Sequence, residues 1–145
     1  MASLGEFARR MRRRGREVEE GSNRIVRQVA VVAARNLALE TPVDTGRARS
    51  NWIVNVGAPS REEIEAYFPG RDLGKGERKN FGGVLGQAEA EVENRQPGQD
   101  IFISNNLPYI KPLNDGSSAQ SPAGFVQTAI DRAAEAVRNA RVFRR

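Results

Sequence analysis

Residues 24–57 read RIVRQVAVVAARNLALETPVDTGRARSNWIVNVG, and the fold class turns on one change of period inside this stretch. Over residues 24–39, Ile25, Val29, Val32 and Asn36, with Val26, Ala33 and Leu37 beside them, recur at helical spacing and make one broad apolar face. Ser22 or Asn23 stands where a side chain caps the start of such a helix. Pro42 pushes Thr41 out of helical geometry and ends it, and Val43-Asp44-Thr45-Gly46 supplies a turn through an Asp side chain and a permissive glycine. From Ser50 to Gly57 the period becomes two, with Trp52, Val54 and Val56 on one side and Asn51, Ile53 and Asn55 on the other. The reading is helix, turn, strand.

Toward the N-terminus, Phe7 and Met11 lie four apart, so residues 3–20 extend the helical pattern, with a break expected because Gly15 and Gly21 each cost about 1 kcal/mol in a helix interior. Residues 1–16 carry Arg9, Arg10, Arg12, Arg13, Arg14 and Arg16 against the single acid Glu6. The chain's formal charge of +5 therefore resides in this segment, and the remaining 17 basic and 17 acidic side chains cancel. Arginine outnumbers lysine 20 to 3, which favours forked hydrogen bonding to carboxylates or phosphates.

Toward the C-terminus, Ser60 and Glu63 have capping-box spacing for a short helix over Arg61 to Tyr67, stopped by Pro69-Gly70. Residues 70–83, with Gly70, Gly74, Gly76, Gly82 and Gly83, read as a flexible central loop, and Leu85 to Asn94 as a helix. Ile101-Phe102-Ile103 makes a second strand, and Tyr109 to Leu113, flanked by Pro108 and containing Pro112, a third extended piece suited to a sheet edge. Unpaired backbone groups there are able to extend a sheet into a neighbouring subunit. The last helix is capped by Ser121, opened by Pro122 and striped by Phe125, Val126, Ala129, Ile130, Ala133 and Val137, with Arg138, Arg141, Arg144 and Arg145 near its end. The whole predicts an α+β fold, a small antiparallel sheet packed against long N-terminal and C-terminal helices. Its organisation is an arginine-rich arm or helix over 1–21 and a domain over 22–145 containing the 70–83 loop.

Cysteine and histidine are both absent, which removes thiol nucleophiles, disulfides, ordinary zinc sites and imidazole bases. Glu62, Glu63 and Glu65 read as a solvated face beside Arg61, with no opposing acid. Gly82, Gly83 and Gly86 lack the lysine and hydroxyl residue that close a phosphate loop. No catalytic residue, cofactor or metal is expected. The longest uninterrupted apolar run, Val29 to Ala34, is far short of a membrane span. Trp52 reads as a core residue. The arginine arm has three open readings: a protein interface, contact with a DNA backbone, or a solvated tail. No base-reading helix or stacking platform accompanies it.

Two stretches resemble a known family. Thr41-Pro-Val-Asp-Thr-Gly-Arg-Ala-Arg-Ser-Asn-Trp52 is similar to the TPVDTGxLxxSW segment of small neck or tail-completion proteins of long-tailed bacteriophages. Residues 105–125, with Pro108, Tyr109 and Gly116, resemble the family's PYA strand and LE-x-G turn followed by a proline-started helix. Asn114 stands where many relatives have glutamate, and Ser117 where some have histidine. The motif residues carried over are Pro42, Asp44, Thr45, Gly46, Arg47, Trp52, Pro108, Tyr109 and Gly116. The resemblance implies a non-enzymatic structural virion protein, a homo-oligomeric ring at the head–tail junction that assembles in the host cytoplasm. It also implies contacts with adjacent connector, terminator or tail-tube proteins. On this reading the folded core makes the ring contacts while the arm and the 70–83 loop reach adjoining rings. The alternative is a basic accessory protein that holds DNA non-specifically through the arm, packaged DNA included.

Overall fold

The computed structural model describes residues 3–42, 46–69, 75–117 and 123–138. Helix α1 spans Leu4–Glu40, and a short helix α2 spans Arg47–Ser50. Strand β1 (Ile53–Val56), helix α3 (Lys75–Glu93), strand β2 (Ile101–Ser104), helix α4 (Ile110–Asn114) and helix α5 (Phe125–Val137) follow. The strands form a two-stranded antiparallel sheet in which Ile53 faces Ser104 and Val56 faces Ile101. The molecule is α+β, with the small sheet set among a long N-terminal helix, α3 and the C-terminal helix.

Helix α1 runs without the break expected at Gly15 and Gly21. Its start is Ser3, whose Oγ accepts from the Glu6 backbone N–H at 3.2 Å while Glu6 Oε2 accepts from the Ser3 N–H at 2.8 Å. That reciprocal cap, together with Arg13 and Arg14 pairing to Glu17 one turn later, offsets the glycine cost and lets the packed C-terminal half propagate outward. Burial begins at Gly21; from there Ala30, Ala34, Leu37 and Ala38 face the core. Small side chains on α1 and at Ala129 and Ala133 of α5 let these two helices approach closely, and Asn36 Nδ2 donates to the Ala129 carbonyl at 3.3 Å.

Several expectations are corrected. Residues 75–83 are helical rather than loop, while 70–74 lie outside the described residues. The physical reason is tertiary: Val84, Ala88 and Val92 form a buried i, i+4, i+8 stripe, and Gly83 lies under the Tyr67 ring where any Cβ would overlap it. Arg61 to Tyr67 is not a helix. Ser60 Oγ accepts from Glu62 N–H at 3.1 Å instead of capping Glu63, and the backbone beyond is held by side chains from elsewhere. Tyr109 to Leu113 is not an extended edge piece: the chain turns into α4, where Pro112 falls in the first turn and its missing N–H costs no bond. Helix α5 starts at Phe125, after Gly124 at φ 78°, and Asn114 Oδ1 accepts from the Val126 N–H at 3.0 Å. Ser121 and Pro122, expected to start it, and Arg141, Arg144 and Arg145 lie outside the described residues.

Among the described residues the sheet has two strands, and α3 seals its β1 edge. Gln87 Oε1 accepts from the Val54 N–H at 2.9 Å and Gln87 Nε2 donates to the Val54 carbonyl at 2.7 Å, as a strand neighbour would. Glu91 Oε1 accepts from the Val56 N–H at 3.1 Å. Across the sheet, β2 borders a groove.

Candidate functional site

The described residues of the first motif follow the end of α1. Pro42 is buried after the helix, and Gly46 at φ 81° turns the chain into α2; Asp44 and Thr45 lie outside the described residues. Trp52, in the core as expected, donates from Nε1 to Thr41 Oγ1 at 2.7 Å. Arg47 reaches the Ile64 carbonyl at 3.5 Å and the carboxylates of Glu63 and Glu65 at 3.4 and 3.8 Å. Arg49, unremarked in the sequence reading, is buried with Nη2 on the carbonyls of Leu39 and Thr41 at 3.4 and 3.3 Å, a cation at the negative end of α1.

Three further buried side chains replace missing secondary structure in residues 61–69. Asn51 holds both backbone groups of Ile64 at 2.8 Å. Ser50 Oγ accepts from Tyr67 N–H at 3.2 Å, and Asn80 accepts from Phe68 N–H at 2.7 Å and donates to its carbonyl at 3.0 Å. Ser50 Oγ also donates to Asn80 Oδ1 at 3.0 Å, which links the three elements. Burial raises the pKa of the Tyr67 phenol. The second motif joins this hub through Asn105 Nδ2, which donates to the Ala48 carbonyl at 2.9 Å, and Asn106 Nδ2, which donates to the carbonyls of Ser60 and Glu62. Pro108 is exposed, Tyr109 precedes α4, and Gly116 follows it at φ 99°. Ser50, Asn51, Asn80, Asn105 and Asn106 form a structural hub.

The solvent-facing features lie elsewhere. Arg9, Arg10, Arg12, Arg13, Arg14 and Arg16 are all exposed on the part of α1 that projects beyond the buried body. At 1.5 Å per residue, residues 4–20 extend about 25 Å. Helical periodicity puts Arg9, Arg13 and Arg16 on one face, while Leu4, Phe7, Met11 and Val18 line the opposite one. That apolar stripe is uncovered: Leu4 is 84% exposed, Phe7 53% and Met11 55%.

Further along α1, a groove of about 610 Å³ opens between α1, β2 and α5. Val26, Val29 and Ala33 form one wall, Ile101 and Ile103 of β2 the floor, and Ile130, 44% exposed, the far wall. Asp100 lines it, as does Arg95, whose guanidinium is engaged by Asn23 Oδ1 and by the Gln99 carbonyl at 2.8 Å. Sequence reasoning marked Phe7 and Met11 as a helical pair but missed this groove, since no short-range pattern brings its three elements together.

Among the described residues there is no group of three or more histidine, cysteine or acidic side chains able to hold a metal ion, and no helix long and apolar enough to cross a membrane. Compared with known protein families, curated proteins and solved structures, the chain matches none.

Proposed function

We propose that the chain is a structural subunit of a homo-oligomeric ring at the head–tail junction of a tailed bacteriophage. Its work is contact with copies of itself and with adjacent connector, terminator or tail-tube proteins. The observation that carries this reading is the form of α1: one unbroken helix, half built into the core and half projecting with an uncovered apolar stripe on one side and arginines on the other. An exposed helix with two such faces is a contact element, since apolar side chains on a rod without packing of its own are stabilised only by a neighbour. The TPVDTG and PYI stretches support the reading by resemblance.

The experiment is localisation. Antibody raised against the chain should decorate the junction between head and tail in purified particles, and removal of residues 1–16 should leave a folded domain while heads and tails fail to join. Particles without the chain at the junction would overturn the proposal.

The second reading, DNA backbone contact, is favoured by one feature, the exposed face of Arg9, Arg13 and Arg16. Arginines on one face of a rod neutralise phosphates with a steep salt dependence. A gel shift at physiological salt, run with and without residues 1–16, separates the two: tight binding by the monomer, lost with the arm, supports the accessory-protein reading.

A further inference from the structure

We infer that the apolar stripe on the projecting half of α1 seats in the groove between α1, β2 and α5 of a second copy of this chain. The contact is head-to-tail, and each subunit both donates a rod and accepts one.

Among the described residues, two apolar surfaces of complementary shape are left uncovered. The stripe of Leu4, Phe7, Met11 and Val18 runs about 21 Å along the helix, and the groove follows its own α1 from Val26 to Leu37, about 16 Å. The stripe of the same chain cannot fill its own groove. Val18 lies about 12 Å and Leu4 about 33 Å from Val26 along one uninterrupted helix, so the stripe cannot fold back. A second copy of this chain brings a stripe of matching chemistry to the groove.

Charge and shape agree. One shoulder of the stripe carries Arg10 and Arg14; the other carries Ala8 and Gly15, and Gly15 has nothing within 4 Å of its Cβ position, which permits close approach. The groove offers the exposed Asp100 within its lining, while its cation Arg95 is spent on internal hydrogen bonds. A rod seated this way keeps Arg9, Arg13 and Arg16 facing outward, free for an adjoining ring or for DNA. A contact between two different patches of identical chains closes into a ring when its rotation permits. The inference rests on the ring proposal for the meaning of the contact alone.

The test uses two variants of the full chain, an arm variant (Phe7→Asp, Met11→Asp) and a groove variant (Val26→Asp, Ile130→Asp), with masses measured by light scattering over a concentration series. All four positions are solvent-exposed, and circular dichroism with Trp52 emission checks that each variant is folded; Ile130→Asp alone replaces the double variant if it is not. The parent chain is expected to self-associate, each variant alone to stay monomeric, and an equimolar mixture to give a species of twice the monomer mass, because one intact arm then meets one intact groove. An arm variant that assembles like the parent overturns this contact and leaves the ring proposal standing. A groove variant that still associates alone shows arm-to-arm pairing and overturns it too. A parent and mixture that both remain monomeric overturn it together with self-assembly, while localisation in particles remains a separate readout.

Discussion

The indole N–H of Trp52 donates to the Thr41 hydroxyl at 2.7 Å, and that hydroxyl donates to the Leu37 carbonyl at 2.5 Å, so the approach to β1 is tied to the last turn of α1. Thr41 is 1% exposed and Trp52 6%, so neither partner has water to turn to. Thr41→Val keeps the shape and deletes the acceptor. It should cost about 1–3 kcal/mol, the desolvation penalty of an orphaned buried donor, and the blue-to-red shift of Trp52 emission on unfolding should track it. Thr41→Ser should retain most of the stability. Chemical denaturation of the three proteins checks both statements.

Gly46 has two independent reasons to be glycine. Its φ of 81° is left-handed, and a Cβ built there would overlap the Asn80 amide. Gly46→Ala should therefore destabilise by about 2 kcal/mol or more, beyond the 1–2 kcal/mol of the backbone conformation alone. If denaturation shows a loss well under 1 kcal/mol, the amide is not held where it is described.

Asn80 itself fixes Phe68 from both sides and receives Ser50. Asn80→Ala should cost about 2–3 kcal/mol. The backbone amide of Phe68 should lose its hydrogen-exchange protection selectively, while amides of α1 and α5 change only with global stability.

The sequence made the two ends of this fold legible because their periodicity is local: the Ile25 to Leu37 face, the proline stop at Pro42 and the Phe125 to Val137 stripe each decide their own element. What it hid depends on partners distant in sequence. Residues 61–67 carry helix signals, yet Asn51 captures the Ile64 backbone from 13 residues away and Asn80 holds Phe68, just beyond, from 12. The glycines of α3 suggest a loop until Tyr67 is seen lying over Gly83. At the candidate site the arginines are plain from composition, whereas the groove needs three elements assembled before it exists.

Tyr67 gives stability a pH dependence on the alkaline side. Burial raises its pKa above the ordinary 10.0, so the folded state holds the phenol's proton more tightly than the unfolded state does. Stability from this group is complete below pH 10.0 and falls as pH rises through the folded value. Tyr67→Phe keeps the ring over Gly83 and removes the titration. The stability difference between the two proteins should be flat from neutral pH to about 9 and change above 10, with the parent losing relative to the variant.

Gln87 offers the sharpest test of how a two-stranded sheet is held beside α3. Its amide supplies both an acceptor and a donor to Val54, so the two chemistries are separable by substitution. Gln87→Leu should cost roughly 2 kcal/mol by leaving both backbone groups unmet. Gln87→Glu keeps the acceptor for the Val54 N–H but sets a carboxylate oxygen against the Val54 carbonyl. Protonation turns that oxygen back into a donor, so the folded variant should bind the proton more tightly than an ordinary glutamate of pKa about 4.3. A raised folded pKa means the variant is most stable below that value and loses stability as pH rises through the folded one. Denaturation midpoints of the parent and Gln87→Glu should therefore converge in acid and separate toward neutrality. A constant gap across the same range would show that the side chain does not donate to Val54.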